Sequence, residues 1–193
     1  MRRQPRRGAR QEDPAIAGAE PSTATVAREL RALAIRLLAR REYSRVELRA
    51  RLLGGTRWQD PAVVQAAVDV VLAELRNEGL QSDGRAAEAL VQSLRGRSGK
   101  RLLEHRLTSR GVDPEIAATA LVAVSVDEAE RARALWERRF GTPPADVKEH
   151  ARQVRFLLSR GFESGVVRQV MRGARTDNTP DHPAGSDDAA DTG

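Results

Sequence analysis

Apolar side chains recur at helical spacing through the whole middle of the chain. Val26, Leu30, Leu33, Leu37 and Leu38 fall on one face of a first helix. Ser44 and Glu47 then have capping-box spacing, in which each side chain satisfies a free backbone N–H of the other. Tyr43 and Leu48 sit where the accompanying hydrophobic staple belongs. This second helix runs through Leu52 and stops at Gly54–Gly55. Asp60–Pro61 opens a third, with Asp as N-cap and Pro at the first helical position. Val63, Val64, Val68, Val71, Leu72 and Leu75 form its apolar face. Gly79 ends it, with Leu80 at the apolar position of a Schellman motif.

The same grammar repeats. A second set begins near Ser82, with Ala86, Ala87, Leu90, Val91 and Leu94 on its first helix. A basic turn, Arg95 to Arg101 with Gly96 and Gly99, leads to a helix carrying Leu102, Leu103 and Leu107 and ending at Gly111. Asp113–Pro114 starts the next helix as Asp60–Pro61 does. A third set opens at Asp127, places Ala132, Leu135, Trp136 and Phe140 on one face, and turns at Thr142–Asp146. Two helices follow, with Val154, Leu157 and Leu158, then Val166, Val167, Val170 and Met171. Ser109-Arg110-Gly111-Val112 recurs as Ser159-Arg160-Gly161-Phe162, and Leu48, Leu52 and Val63 correspond to Leu103, Leu107 and Ile116. A period near fifty residues predicts a linear array of small bundles. The expected fold is all-α: an elongated, curved array of three tandem three-helix units, over 23–80, 81–126 and 127–173. Residues 1–22 and 174–193 lack periodicity and are expected to be a disordered basic arm and a disordered acidic tail.

Composition narrows the function. Among 193 residues there are 33 Lys+Arg, 27 Asp+Glu and no Cys. No run of about 18 apolar residues exists, so no transmembrane helix is expected. The Arg-rich start lacks the apolar stretch of a secretory signal. The missing Cys excludes disulfides, thiol nucleophiles and Cys-ligated zinc. Residues 1–10 carry five Arg and residues 177–193 five Asp, so these ends cancel and the body holds the whole net charge of +6. A basic body favours an anionic partner, although GC-rich codon usage also accounts for Arg standing where Lys could. Aromatics make up 3% of the chain, too few for a base-stacking platform, so the core must be Leu, Val and Ala.

Chemistry-bearing patterns are missing. Gly96-Arg97-Ser98-Gly99-Lys100-Arg101 is two residues short of a phosphate loop and lacks its Ser or Thr. It reads as a solvated turn between helices. His105, His150 and His182 share no metal-ligand spacing. Glu128-Ala129-Glu130-Arg131-Ala132-Arg133 reads as a solvated, ion-paired helix face. Nothing in the pattern points to an enzyme, a cofactor or a metal site.

Several segments together resemble the RecX family of regulatory proteins. They are Leu37 to Ser44 with Glu47-Leu48-Arg49; Leu72 to Leu75 through Gly79-Leu80 with Asp83 and Arg85; and Phe140-Gly141, Pro144, Lys148-Glu149, Arg152 and Arg155 to Phe162. The last run is the most specific. The resemblance implies a cytoplasmic, non-enzymatic regulator that lies in the groove of the RecA–DNA filament. It would limit RecA ATP turnover and strand exchange, and so affect recombinational repair and the SOS response. The implied partners are the RecA filament and DNA, reached directly or through the filament, with no membrane; the chain is expected to be a monomer. Arg45, Arg49, Arg51, Lys100, Arg101, Arg106, Arg152, Arg155 and Arg160 are the candidate contacts. The alternative is a non-specific basic helical module for DNA or RNA, which would lose affinity steeply with salt.

Overall fold

A computed structural model describes residues 22–56 and 60–176. All of the expected arm but Ser22, which caps α1, and most of the tail, together with Trp58, lie outside the described residues. Within them the protein is all-helical: α1 (Thr23–Leu38), α2 (Arg45–Gly54), α3 (Pro61–Asn77), α4 (Asp83–Leu94), α5 (Lys100–Ser109), α6 (Pro114–Val126), α7 (Glu128–Arg139), α8 (Val147–Ser159) and α9 (Ser164–Thr176).

The local signals set the helix ends. Glu47 N–H donates to Ser44 Oγ at 3.1 Å while Ser44 N–H donates to Glu47 Oε2 at 3.2 Å, which is the expected capping box. Asp60 caps α3 and Asp113 caps α6, each followed by Pro at the first position. At Gly79, Gly111 and Gly161 the backbone turns left-handed with φ of 70°, 67° and 82°. The residue after each glycine donates back to the carbonyl of Leu75, Leu107 or Leu157, closing a Schellman turn. The final helix runs to Thr176, past the boundary expected at 173. The reason is that Ala174 extends the apolar row of Val167, Val170 and Met171 and is buried with them.

Each successive set of three helices encloses its own core. Val26, Leu30, Leu48, Leu52, Val68, Val71, Leu72 and Leu75 form the first, with the staple pair Tyr43 and Leu48 both buried in it. Ala87, Leu90, Leu103, Leu107 and Leu121 belong to the second, which is purely aliphatic. Trp136, Leu157, Phe162 and Met171 belong to the third. A fully buried Leu such as Leu103 contributes about 2 kcal/mol by burial alone. In the third core Gln153 occupies the place that Leu48 and Leu103 take in the others. It is fully buried and accepts from Trp136 Nε1 at 2.7 Å, so the indole N–H is not left unpaired.

The units meet through polar junctions built to one plan: the start of the second helix of one unit docks on the Arg-Gly turn of the next. At the first junction, Ser44 Oγ donates to Arg110 O at 2.5 Å and Val46 packs against Gly111. Arg45 N–H donates to Asp83 Oδ1 at 2.6 Å. Gln81 Nε2 donates to Tyr43 O at 3.3 Å, and Arg85 pairs with Glu42 at 2.8 Å. At the second, Gly99 N–H donates to Arg160 O at 2.9 Å and Arg101 N–H to Gly161 O at 3.1 Å. Lys100 N–H donates to Glu128 Oε1 at 2.9 Å. In both, a carboxylate opening the first helix of one unit caps the second helix of the unit before it.

Two expectations from sequence are corrected here. The segment from Glu128 to Arg133 is not a solvated face throughout: Glu128 is 5% exposed and the Arg131 side chain 9%. Arg131 donates to Arg95 O and Ser98 O at 2.8 Å each and to Val124 O at 2.6 Å, binding the turn of the second unit to the third. Nor is the turn at 95–101 simply solvated. Ser98 and Gly99 are buried, and Arg95 pairs with Asp127 at 2.7 Å. A local spacing rule reads (i, i+4) pairs on an isolated helix; here another unit covers that helix.

Candidate partner-binding surface

The nine candidate cations all lie on or next to α2, α5 and α8, the second helix of each unit. The structure divides them by what they already hold. Arg49 pairs with Asp69, and Arg152 pairs with Glu149 at 3.0 Å and lies over the Phe140 ring. Arg45 is half-buried at the first junction, with Nη1 donating to Leu72 O at 3.5 Å. Arg160 is exposed and stacks on Phe156 at 5.3 Å from the ring centroid. These four have structural partners.

Arg51, Lys100, Arg101, Arg106 and Arg155 have no side-chain ion-pair partner among the described residues. Four of them are exposed, and Lys100 is partly so. An unpaired, solvated guanidinium is already charged and needs no internal bond broken before it meets a phosphate or carboxylate. Arg51 and Arg106 occupy matching places one residue before the core leucines Leu52 and Leu107. The repeat thus carries one free cation position from the first unit into the second.

Titration at the second junction is biased toward the charged form. Burial of the Asp127 carboxyl opposes ionisation, but hydrogen bonds and charge from Arg131 and Arg95 outweigh it, and the pKa falls below the usual aspartate value. Asp127 Oδ1 accepts from Arg131 Nε at 3.0 Å. This is a structural ion cluster facing a backbone turn. Among the described residues no group of three His, Asp or Glu side chains is placed to hold a metal ion. His105 is exposed, His150 is half-buried beside α9, and His182 lies outside the described residues. No described helix is long and apolar enough to cross a membrane.

Among the features that sequence reading missed are the buried Glu128 cap, the close backbone approach at Gly99, and the Trp136–Gln153 pair. The third had a signal, since Gln153 breaks the leucine pattern of the repeat. The first two join residues of different units, and the recurring Ser-Arg-Gly turn was their only trace.

Comparison with known proteins matches the arrangement as a whole. Residues 82–121 match the model of the second three-helix domain of RecX and residues 126–171 that of the third. A Regulatory protein RecX of Leptothrix cholodnii is 43% identical over 79% of this chain and 92% of its own length. Another, of Ralstonia pickettii, is 40% identical over 75% of this chain and 87% of its own length. The crystal structure of RecX from Lactobacillus salivarius superposes with a TM-score of 0.65 at 18% identity, covering 79% of this chain and 99% of that one. With two domain models matched in order and identity of this level sustained across nearly the full length of its relatives, the chain belongs to the RecX family of regulatory proteins.

Proposed function

We propose that the chain is a non-enzymatic regulator that binds the RecA–DNA filament and limits RecA ATP turnover and strand exchange. Through RecA it acts in the cytoplasm on recombinational repair and the SOS response. The observation that carries this reading is the sustained identity with regulatory RecX proteins over the three-unit array. Physical support comes from the free cations on successive second helices, Arg51, Lys100, Arg101, Arg106 and Arg155. Units joined end to end expose more surface than one compact bundle, which suits a long groove lined by protein and phosphate. The remaining four candidates, Arg45, Arg49, Arg152 and Arg160, are proposed to shape this surface and contribute less binding energy.

The test is RecA ATP hydrolysis on single-stranded DNA, with the protein titrated in at low and high salt. Inhibition well below one copy per RecA, retained at the higher salt, is the expected result. Inhibition only when the protein saturates the DNA at low salt would favour a non-specific nucleic-acid module. The same exposed cations support that second reading, because phosphate contacts release counterions and weaken with salt.

A further inference from the structure

Between α8 and α9 lies an open groove of about 300 Å³. Val154, Leu158, Val167 and Met171 give it an apolar floor, and His150, Arg168 and Arg172 stand on its rim. Arg168 and Arg172 are exposed, and neither has an ion-pair partner among the described residues. They are four residues apart on a helix that contains no acidic residue. Like charges so placed repel each other, and an anion over the groove relieves that repulsion.

The chain carries a matching segment immediately beyond α9. Residues 177–193 hold five Asp, no Lys or Arg, and Pro180 and Pro183 among the first acids. Asp181 follows Thr176 by five residues, a reach of up to about 18 Å. From Thr176 back to Arg168 along the helix is about 12 Å. Asp177 and Asp181 can therefore approach both arginines while the prolines meet the apolar floor. Tethering supplies this ligand at an effective concentration on the order of millimolar, so weak contacts suffice. A nucleic-acid backbone matches the rim but leaves the apolar floor unfilled.

We propose that the groove between α8 and α9 is the docking site of the chain's own acidic segment 177–193, which screens Arg168 and Arg172 from external anions. Docking is intramolecular and electrostatic at its rim. It does not depend on RecA being the partner.

The experiment compares amide correlation spectra of the full chain with those of a full-length variant carrying D177N, D181N, D187N, D188N and D191N. Expected are shifts at Val154, Leu158, Ser164, Arg168, Met171 and Arg172, independent of protein concentration. The parent spectrum should move toward that of the variant at about 0.5 M salt, where surface charge is screened. Differences confined to the substituted residues and their neighbours overturn the proposal. So do shifts that grow with protein concentration, which assign the groove to a second copy's segment. The full-length pair R168Q and R172Q, with the acids intact, must shift resonances of 177–193; unchanged resonances overturn it as well. A labelled single-stranded oligonucleotide should bind the Asp→Asn variant several-fold more tightly at low salt, and equal binding overturns the screening.

Discussion

At the first junction a side chain bridges the units; at the second the backbones themselves touch. Ser44 Oγ reaches across to Arg110 O, and the isopropyl group of Val46 fills the space above Gly111. At the second junction Gly99 stands where Ser44 does, and its own N–H bonds to Arg160 O. A Cβ on Gly99 would lie 2.3 Å from Phe162 N and 2.4 Å from Gly161 C and O. The three atoms nearest to a Cβ on Gly111 all belong to the Val46 side chain, at 2.5–2.9 Å. Room at the first junction thus comes from the Val46 side chain together with a small shift of the start of α2, whereas at the second backbone meets backbone and volume is accepted only by separating. The ion cluster of Arg95, Asp127 and Arg131 lies at the second junction alone.

The largest expected effect breaks this contrast directly. Gly99→Ala should open the second junction at a cost of about 3 kcal/mol, the upper end of overpacking penalties. Its φ of −79° is ordinary for any residue, so the cost comes from the close approach alone. Amide hydrogen exchange at Arg101 should accelerate by about two orders of magnitude, matching that energy. Gly111→Ala should lose less, and Val46→Ala in the same chain should recover part of it by removing both methyl groups, leaving the contact with Cβ of residue 46 at 2.7 Å and about 1 kcal/mol of left-handed backbone strain. Equal losses for the two glycines, or no recovery with Val46→Ala, would show that the junctions do not differ as described.

Next come the carboxylate caps. Glu128→Ala removes a buried acceptor from Lys100 N–H, which has no side-chain cap within its own unit. A loss of about 2 kcal/mol is expected in chemical denaturation, as for an unsatisfied buried donor. Asp83→Ala should cost about 1 kcal/mol, because the Ser44–Glu47 box still satisfies neighbouring donors of α2. A ranking of Asp83 above Glu128 would reverse the assignment.

Acid should loosen the second junction. The pKa of Asp127 is lowered in the folded chain, so its stabilising contribution is complete above the unfolded value near 4 and disappears as pH falls through the depressed one. Exchange protection at Lys100 and Arg101 should fall over that acid window. In Asp127→Asn it should be weaker at neutral pH and lose this acid-dependent step.

The smallest effect on folding falls on the free cations. Arg51→Gln, Arg106→Gln and Arg155→Gln should each change stability by less than about 0.5 kcal/mol. Each should lower the salt dependence of single-stranded DNA binding by about one unit of slope if it contacts phosphate. Arg49→Gln, which loses an internal pair with Asp69, should change that slope less. This separates partner contacts from structural cations on the same helices.

Much of the fold was legible along the chain because its signals are local. A capping box satisfies donors within four residues, Asp–Pro starts a helix with two adjacent side chains, and a left-handed glycine ends one in place. Ser44 with Glu47, Asp60–Pro61, Asp113–Pro114 and the glycines at 79, 111 and 161 thus located helix ends, and the fifty-residue repeat disclosed the array. The candidate surface was less legible. Side-chain charge is visible in a sequence, but whether Arg49 holds Asp69 while Arg51 holds no carboxylate among the described residues depends on α3 packing against α2. The junctions were decided by tertiary structure alone. Ser44 meets Arg110 across 66 residues, and Glu128 meets Lys100 across 28. Over such separations no spacing rule constrains the pair; only the docking of one finished unit on the next turns a glycine into a contact and a surface-looking glutamate into a buried cap.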